Sequence, residues 1–316
     1  MNKKLAICIP TYNRAMVLKE LLSTIIPNLI IDQVPIYISD NNSSDNTFEI
    51  VMEAKKVYPF IFYRQNTENL GADKNFENVL KMSECSYSWL LGDDDLIIND
   101  GIKKILELIN VHSADLIVTN GTNYNQSLLK KPLLMSAVYQ NHNTLLNDLW
   151  YTMTWMSTLI FSAELIKKAK FSTYYNTNFI QTAIVFDYLA TQSTFYVYWH
   201  SFPLVQSPPN EKIINPYTDR ILNIFLQKWT DVLLSLPPIY NNNTKLKCIR
   251  ESGISLKSLY GLRMDQLFSI KDYFLYKDYF PFVTKAPSSL IFLLSIAPSS
   301  VLKTIYFLIK KYSHER

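Results

Sequence analysis

The feature that most restricts this chain is a rhythm repeated through its first 120 residues, in which a short apolar run ends in a polar loop and a segment of helical periodicity follows. Such alternation is the mark of strand, helix, strand units, which close as a mostly parallel sheet with helices on its faces. Leu5 to Ile9 is the first strand, and Val17, Leu18, Leu21, Leu22, Ile25 and Ile26 share one face of the helix after it. Val34, Ile36 and Ile38 alternate toward Asp40, where Asn41 to Asp45 make a turn-rich loop. Asn46 with Glu49 three residues on predicts a capping box at the start of the second helix. Phe60 to Tyr63 is a third strand, and Asp73 precedes a helix carrying Phe76, Val79 and Leu80. Ser88 to Leu91 is a fourth strand that runs into Gly92 and three aspartates. Ile102, Ile105, Leu106 and Ile109 mark one more helix, and Asp115 to Thr119 a fifth strand.

Beyond residue 120 the rhythm loosens. Strands are expected near Leu134 to Tyr139, Ser157 to Phe161 and Phe195 to Trp199, with a helix over Asn178 to Thr191 that sets Ile180, Ile184 and Leu189 on one side. Pro203, Pro208, Pro209 and Pro216 punctuate the chain, which places an α/β domain over residues 1–210 and a helical region over 211–316. Leu290 to Ala297 and Val301 to Ile309 are apolar, but neither reaches the roughly 20 residues a transmembrane helix requires. Residues 285–316 suit a membrane interface, with Lys303, Lys310, Lys311 and Arg316 toward anionic headgroups and Tyr306 and Tyr312 at the boundary. A helix pair packed on the rest of the protein is an equal alternative.

Composition narrows the partners. A net charge of +4 is too weak to argue for nucleic acid. Three widely spaced cysteines, Cys8, Cys85 and Cys248, indicate neither a disulfide framework nor a zinc site, and fit a reducing cytosol. Lys3 and Lys4 before an apolar run imitate a signal peptide, but the run stops at Pro10 and reads as a strand. The four histidines, His112, His142, His200 and His314, have no metal-ligand spacing.

In an open parallel sheet, ligands bind at the carboxyl ends of the strands. Three polar clusters fall at such ends: Pro10 to Arg14, Asp40 to Asn42, and Asp93 to Asp95. Three adjacent carboxylates repel one another, and an oxygen-only set of this kind suits Mn²⁺ or Mg²⁺ bridging to diphosphate oxygens. An exposed acidic turn before a helix is the plain alternative for the triplet alone. Its place after Tyr87, Trp89, Leu90 and Leu91, in register with the other two clusters, favours the metal.

Four motifs in order then carry a resemblance: Ile9-Pro10-Thr11-Tyr12-Asn13-Arg14, Ser39-Asp40-Asn41, Asn69-Leu70-Gly71 with Asn75, and Leu90-Leu91-Gly92-Asp93-Asp94-Asp95. In these the sequence resembles family 2 glycosyltransferases of the GT-A fold, in the bacterial group with abequosyltransferase-like enzymes of surface-polysaccharide synthesis. The resemblance covers residues 4–120 and continues more weakly through Trp155 to Phe161 and Phe179 to Asn210. It implies a metal-dependent, inverting transfer from a nucleotide-sugar donor. The implied acceptor is a saccharide linked to polyprenyl diphosphate, at the cytoplasmic face of a bacterial inner membrane. It also implies that Pro10, Thr11, Tyr12 and Arg14 wall the nucleotide site, with Asn41 and Asn75 beside it. Asp40 would accept hydrogen bonds near the base, and Asn69 and Gly71 would start a helix near the nucleotide. Asp93 would lie by the ribose or sugar, Asp95 would hold the metal with Asp93, and Asp94, counted with the donor-binding residues, would point away.

The sequence departs from that family where a base is expected. The matching helix offers Phe179-Ile180-Gln181-Thr182, and Gln181 can orient a hydroxyl but cannot take its proton. Asp187 is the candidate base, a solvated surface acid being the plainer reading. Asp148 and Glu164 are poorer choices. A nucleotidyltransferase should open with a Gly-rich loop after strand one, which Pro10 to Arg14 lacks, and a glycoside hydrolase needs no nucleotide pocket. A sugar-nucleotide or glycan-binding module without turnover stays open.

Overall fold

A parallel strand covered on both faces reads as a continuous apolar run. Strands β1 (Leu5–Thr11) and β2 (Ile36–Asp40) are buried at every position. Helix α1 (Ala15–Leu29) between them buries Leu18, Leu21, Leu22, Ile25, Ile26 and Leu29. The computed structural model describes residues 3–123, 126–127, 135–207, 220–252 and 254–313. It divides into two units, Met1–Ile213 and Ile214–Arg316.

The first unit continues with α2 (Thr47–Val57), β3 (Ile61–Gln65), α3 (Ala72–Met82), β4 (Tyr87–Leu90), a two-residue β5 (Leu96–Ile97) and α4 (Gly101–Val111). After β6 (Leu116–Asn123) and β7 (Gln126–Ser127) come β8 (Ala137–Tyr139), α5 (His142–Met153), β9 (Leu159–Ser162), α6 (Ala163–Lys168), α7 (Ile180–Ala190) and β10 (Val197–Gln206). The sheet order is β3-β2-β1-β4-β9-β6-β10-β5, with β7 on β6 and β8 on β10. The β3, β2, β1 and β4 block is parallel, and β9 enters antiparallel between β4 and β6.

Several expectations change in the structure. Asn46 does precede α2, but its side chain makes no capping bond. The preceding Asp45 takes that place, accepting from Thr47 N at 3.2 Å, while its second oxygen accepts from Ala15 N at 2.9 Å and so joins the starts of α1 and α2. Residues Met156–Thr158 form a 3₁₀ turn instead of strand: the Thr158 hydroxyl donates to Trp155 O at 2.7 Å, a local bond that competes with a ladder, while the Ser157 hydroxyl meets the distant Gly92 N. β10 runs well past Trp199, crossing Pro203 with register shifts on either side of it, as a residue without an N–H demands. α7 is buried on nearly all sides, not on one. Leu134, Pro208, Pro209, Asn210, Pro216, His314 and Arg316 lie outside the described residues.

The second unit is helical. A π-helical stretch, Leu222–Lys228, leads into α8 (Trp229–Ser235), followed by α9 (Asn242–Glu251), α10 (Leu256–Met264), α11 (Ile270–Tyr276), the single turn α12 (Phe280–Val283), α13 (Ser288–Ile296) and α14 (Ser299–Ser313). Trp229, Tyr240, Phe268 and Phe280 fill its core. No single described helix is long and apolar enough to cross a membrane, and α13 meets the first half of α14 at a bend of 103°. α10 holds that bend: Arg263 Nε donates to Ala297 O at 2.8 Å and Tyr260 Oη to Leu302 O at 2.6 Å. Leu290, Leu293, Ile296, Val301, Ile305 and Phe307 are exposed along the pair. The side chains of Lys310, Lys311 and Tyr312 fall outside the described residues.

Candidate donor and metal site

The parallel block ends its strands side by side, so loops far apart in sequence meet at one edge. Thr11 at the end of β1 donates from Oγ1 to Asp93 Oδ2 at 2.8 Å, just beyond β4. Arg14 reaches the same corner, with Nη1 2.9 Å from Asp93 Oδ1 and Nη2 2.6 Å from Asp94 Oδ2. One guanidinium thus answers two of the three carboxylates, a compensation the sequence reading assigned to a metal alone. Burial pushes the Asp93 carboxyl up to about 6, against the pull of Arg14. Asp95, 5% exposed, is pushed up to about 7 by burial and then by Asp94, against hydrogen bonds from Ser157 and Trp155.

Asp95 receives both of those bonds on one oxygen. Trp155 Nε1 donates to Oδ2 at 2.8 Å and Ser157 Oγ donates to the same atom, while Oδ1 makes no hydrogen bond to a described residue. Gly92 makes room for this, since a Cβ there would stand 2.7 Å from Asp95 Oδ2. Among the described residues no three His, Cys, Asp or Glu side chains converge as a metal cage. Mg²⁺ and its like are commonly held by one or two carboxylates with substrate phosphates and water. A buried acid with one uncommitted oxygen fits that mode. Asp93 is the less open of the two, both its oxygens being engaged.

A second polar layer lies beside this corner. Asp40 is fully buried, and its oxygens accept from Ser43 N at 2.8 Å and Tyr63 Oη at 2.5 Å. It therefore fixes the loop after β2, with one donor on each carboxylate oxygen. Asn41 links Asn69, Asn66 and Leu70 N. Asn75 spans the ends of β1 and β2, donating to Ser39 O at 3.0 Å and Thr11 O at 3.4 Å, and accepting from Ser39 Oγ at 2.7 Å and Asn66 Nδ2 at 3.1 Å. Asn69 accepts from Gly71 N at 2.9 Å, and Gly71 starts α3 at φ +83°, a conformation open to glycine and strained for other residues. Tyr12 is exposed beside the buried Pro10 and Thr11.

The acceptor-side candidates separate. Gln181 is buried, donates from Nε2 to Thr154 O at 2.8 Å and leaves Oε1 unpartnered. Asp187 lies about 240° further round α7. It accepts from Tyr174 Oη at 3.4 Å and pairs with Lys170 at 3.8 Å, touching no residue of the corner. Its side chain is 14% exposed, so it is not the solvated surface acid that was expected. Trp155, Ser157, Asn66 and Tyr63 escaped the sequence reading. The one available signal was Gly121 inside a strand, since strand glycines mark close approach by another group.

A family profile described as glycosyl transferase family 2 matches residues 6–175. Abequosyltransferase RfbV of Salmonella typhimurium is 39% identical over 100 residues, 31% of this chain and 30% of that protein, so the chain spans less than a third of this relative's length. In structure the chain is similar to S. aureus TarS in complex with UDP (TM-score 0.56, 13% identity, 99% of this chain and 92% of that one). It is also similar to a mannosyltransferase from Pyrobaculum calidifontis in complex with GDP-Man and Mn²⁺ (TM-score 0.54, 11% identity, 98% and 88%). At these identities the two structures establish the fold.

Proposed function

Because the chain belongs to glycosyl transferase family 2, we propose that it moves a sugar from a nucleotide-sugar donor to a saccharide acceptor in surface-polysaccharide synthesis. The observation that carries this reading is the buried Asp95 with one oxygen uncommitted, beside an Asp93 and Asp94 already answered by Arg14. Asp95, assisted by Asp93, would hold Mn²⁺ or Mg²⁺. Such a cation stabilises negative charge developing on the leaving diphosphate. Thr11 and Arg14 fix the acids, while Pro10, Tyr12, Asn41, Asn69, Gly71 and Asn75 shape the floor and wall against which the nucleoside lies. Pre-formed polar groups of this kind need no rearrangement as the bond breaks.

Gln181 is the group for orienting the acceptor hydroxyl in an inverting attack. Asp187 is the acid nearest to it along α7, and its ties to Tyr174 and Lys170 favour a structural role over that of base. The bent apolar pair of the second unit supports an acceptor carried on a polyprenyl diphosphate, met at the cytoplasmic face of the inner membrane.

A panel of nucleotide sugars with Mn²⁺ tests the reading. Slow, metal-dependent cleavage of one donor is expected, and D95N should lose it while keeping its fold. Binding without cleavage across the panel would leave a sugar-nucleotide-binding module in place of a transferase.

A further inference from the structure

We infer that Trp155 is a positioning residue, seated on Gly121 so that its indole aims the Asp95 carboxylate; the inference rests on the metal reading of Asp95 given above. An indole has one N–H and no acceptor, so it can pin an oxygen only from one direction. Here Nε1 points at Asp95 Oδ2 from 2.8 Å, and the Ser157 hydroxyl meets the same oxygen. Ser157 Oγ in turn accepts from Gly92 N at 2.8 Å, which ties the acid's partner to the backbone two residues beyond β4. With Oδ2 held twice, the carboxylate's rotation is fixed and Oδ1 is the atom left for a cation.

The indole is itself placed from two sides. A Cβ at Gly121 would stand 2.0 Å from Trp155 Cζ3 and 2.6 Å from Cε3, so the ring lies directly against the β6 backbone and any side chain there expels it. From the other side, the first turn of α7 holds the segment that carries the ring. Gln181 Nε2 donates to Thr154 O at 2.8 Å and Thr182 Oγ1 to Met153 O at 2.7 Å. Gly121, Gln181 and Thr182 therefore act on Asp95 through Trp155. The carboxylate proposed for the donor is coupled to the helix turn proposed for the acceptor.

The test uses the full chain and Mn²⁺ uptake in the presence of UDP, read from the electron paramagnetic resonance of free Mn²⁺. W155F keeps a ring and removes the N–H, G121A keeps the N–H and displaces the ring, and S157A removes the second bond. Groups that orient a metal ligand typically account for about 10–100-fold in metal affinity, so each variant should weaken Mn²⁺ at least tenfold. In W155F the affinity for UDP without metal and the Tm should stay near those of the parent protein, which a mere packing role would not allow. Equal Mn²⁺ uptake by W155F and the parent overturns the inference alone, and so does a loss that tracks Tm and metal-free UDP binding. A parent protein that takes up no Mn²⁺ overturns the metal reading and this inference with it. Should G121A fail to fold, W155F and S157A decide.

Discussion

Asn75→Ala separates a donor contact from a part of the frame. The Asn75 amide is buried and makes four hydrogen bonds, joining the ends of β1 and β2 to α3. Truncation strips partners from the Ser39 hydroxyl, the Ser39 and Thr11 carbonyls and the Asn66 amide. A buried polar group left unpaired costs about 1–3 kcal/mol. The 3.4 Å bond is weak and Asn66 keeps its bond to Asn41, so two serious losses remain, or about 3 kcal/mol. For a unit of this size each kcal/mol lowers the Tm by about 2–4 °C, so thermal unfolding of N75A should move down by about 6–12 °C. N75D presents oxygen to two carbonyls. The introduced carboxyl is then favoured in its protonated form and its folded-state pKa rises, so N75D should be more stable at pH 5 than at pH 8. Calorimetry with the full chain reads both variants. If N75A keeps its Tm while losing UDP affinity tenfold, Asn75 is a ligand contact and the argument that it braces the strand ends is wrong.

D187N should lower kcat by less than about tenfold, because its partners are Tyr174 and Lys170; a fall of about 10²–10⁴, the range of a lost general base, would restore it to that role. The full chain should float with vesicles containing anionic lipid, and L293E with F307E should stay behind, since both side chains are exposed on the bent pair; equal flotation removes the membrane reading. The acids at the corner set a pH dependence of stability. Asp93 and Asp95 are raised to about 6 and about 7, so between pH 4 and 7 the folded chain binds protons that the unfolded chain has released. Stability of the metal-free protein should therefore fall as pH rises through that window, with D95N flattening the fall in Tm, and a Tm that instead rises from pH 5 to 7.5 in the parent alone would contradict the burial of these groups.

The parts of the fold that could be read directly were those in which a local pattern and a tertiary demand coincide. Leu5 to Ile9 reads as a doubly covered strand because it is apolar at consecutive positions, and β1 is indeed buried throughout. The polar residues that close each such run mark the strand ends, and the sheet then brings Thr11, Asp40 and Asp93 to one edge with no further information. What failed to show were bonds whose partners share no local pattern. Asp95 and Ser157 are 62 residues apart, as the turn carrying Ser157 comes back to the corner through an antiparallel β9 that breaks the earlier rhythm. Asp45 displaced Asn46 as the helix cap because Ala15, on another helix, also needed an acceptor. The same cause lies behind Arg14 and Asp40. In each case the fold supplies a partner with which the charged group shares no local pattern, Arg14 for Asp93 and Asp94, and Tyr63 with Ser43 for Asp40. Asp95 Oδ1 is the exception, an atom of a buried acid that takes no hydrogen bond from a described residue, and it is the atom on which the proposed metal site rests.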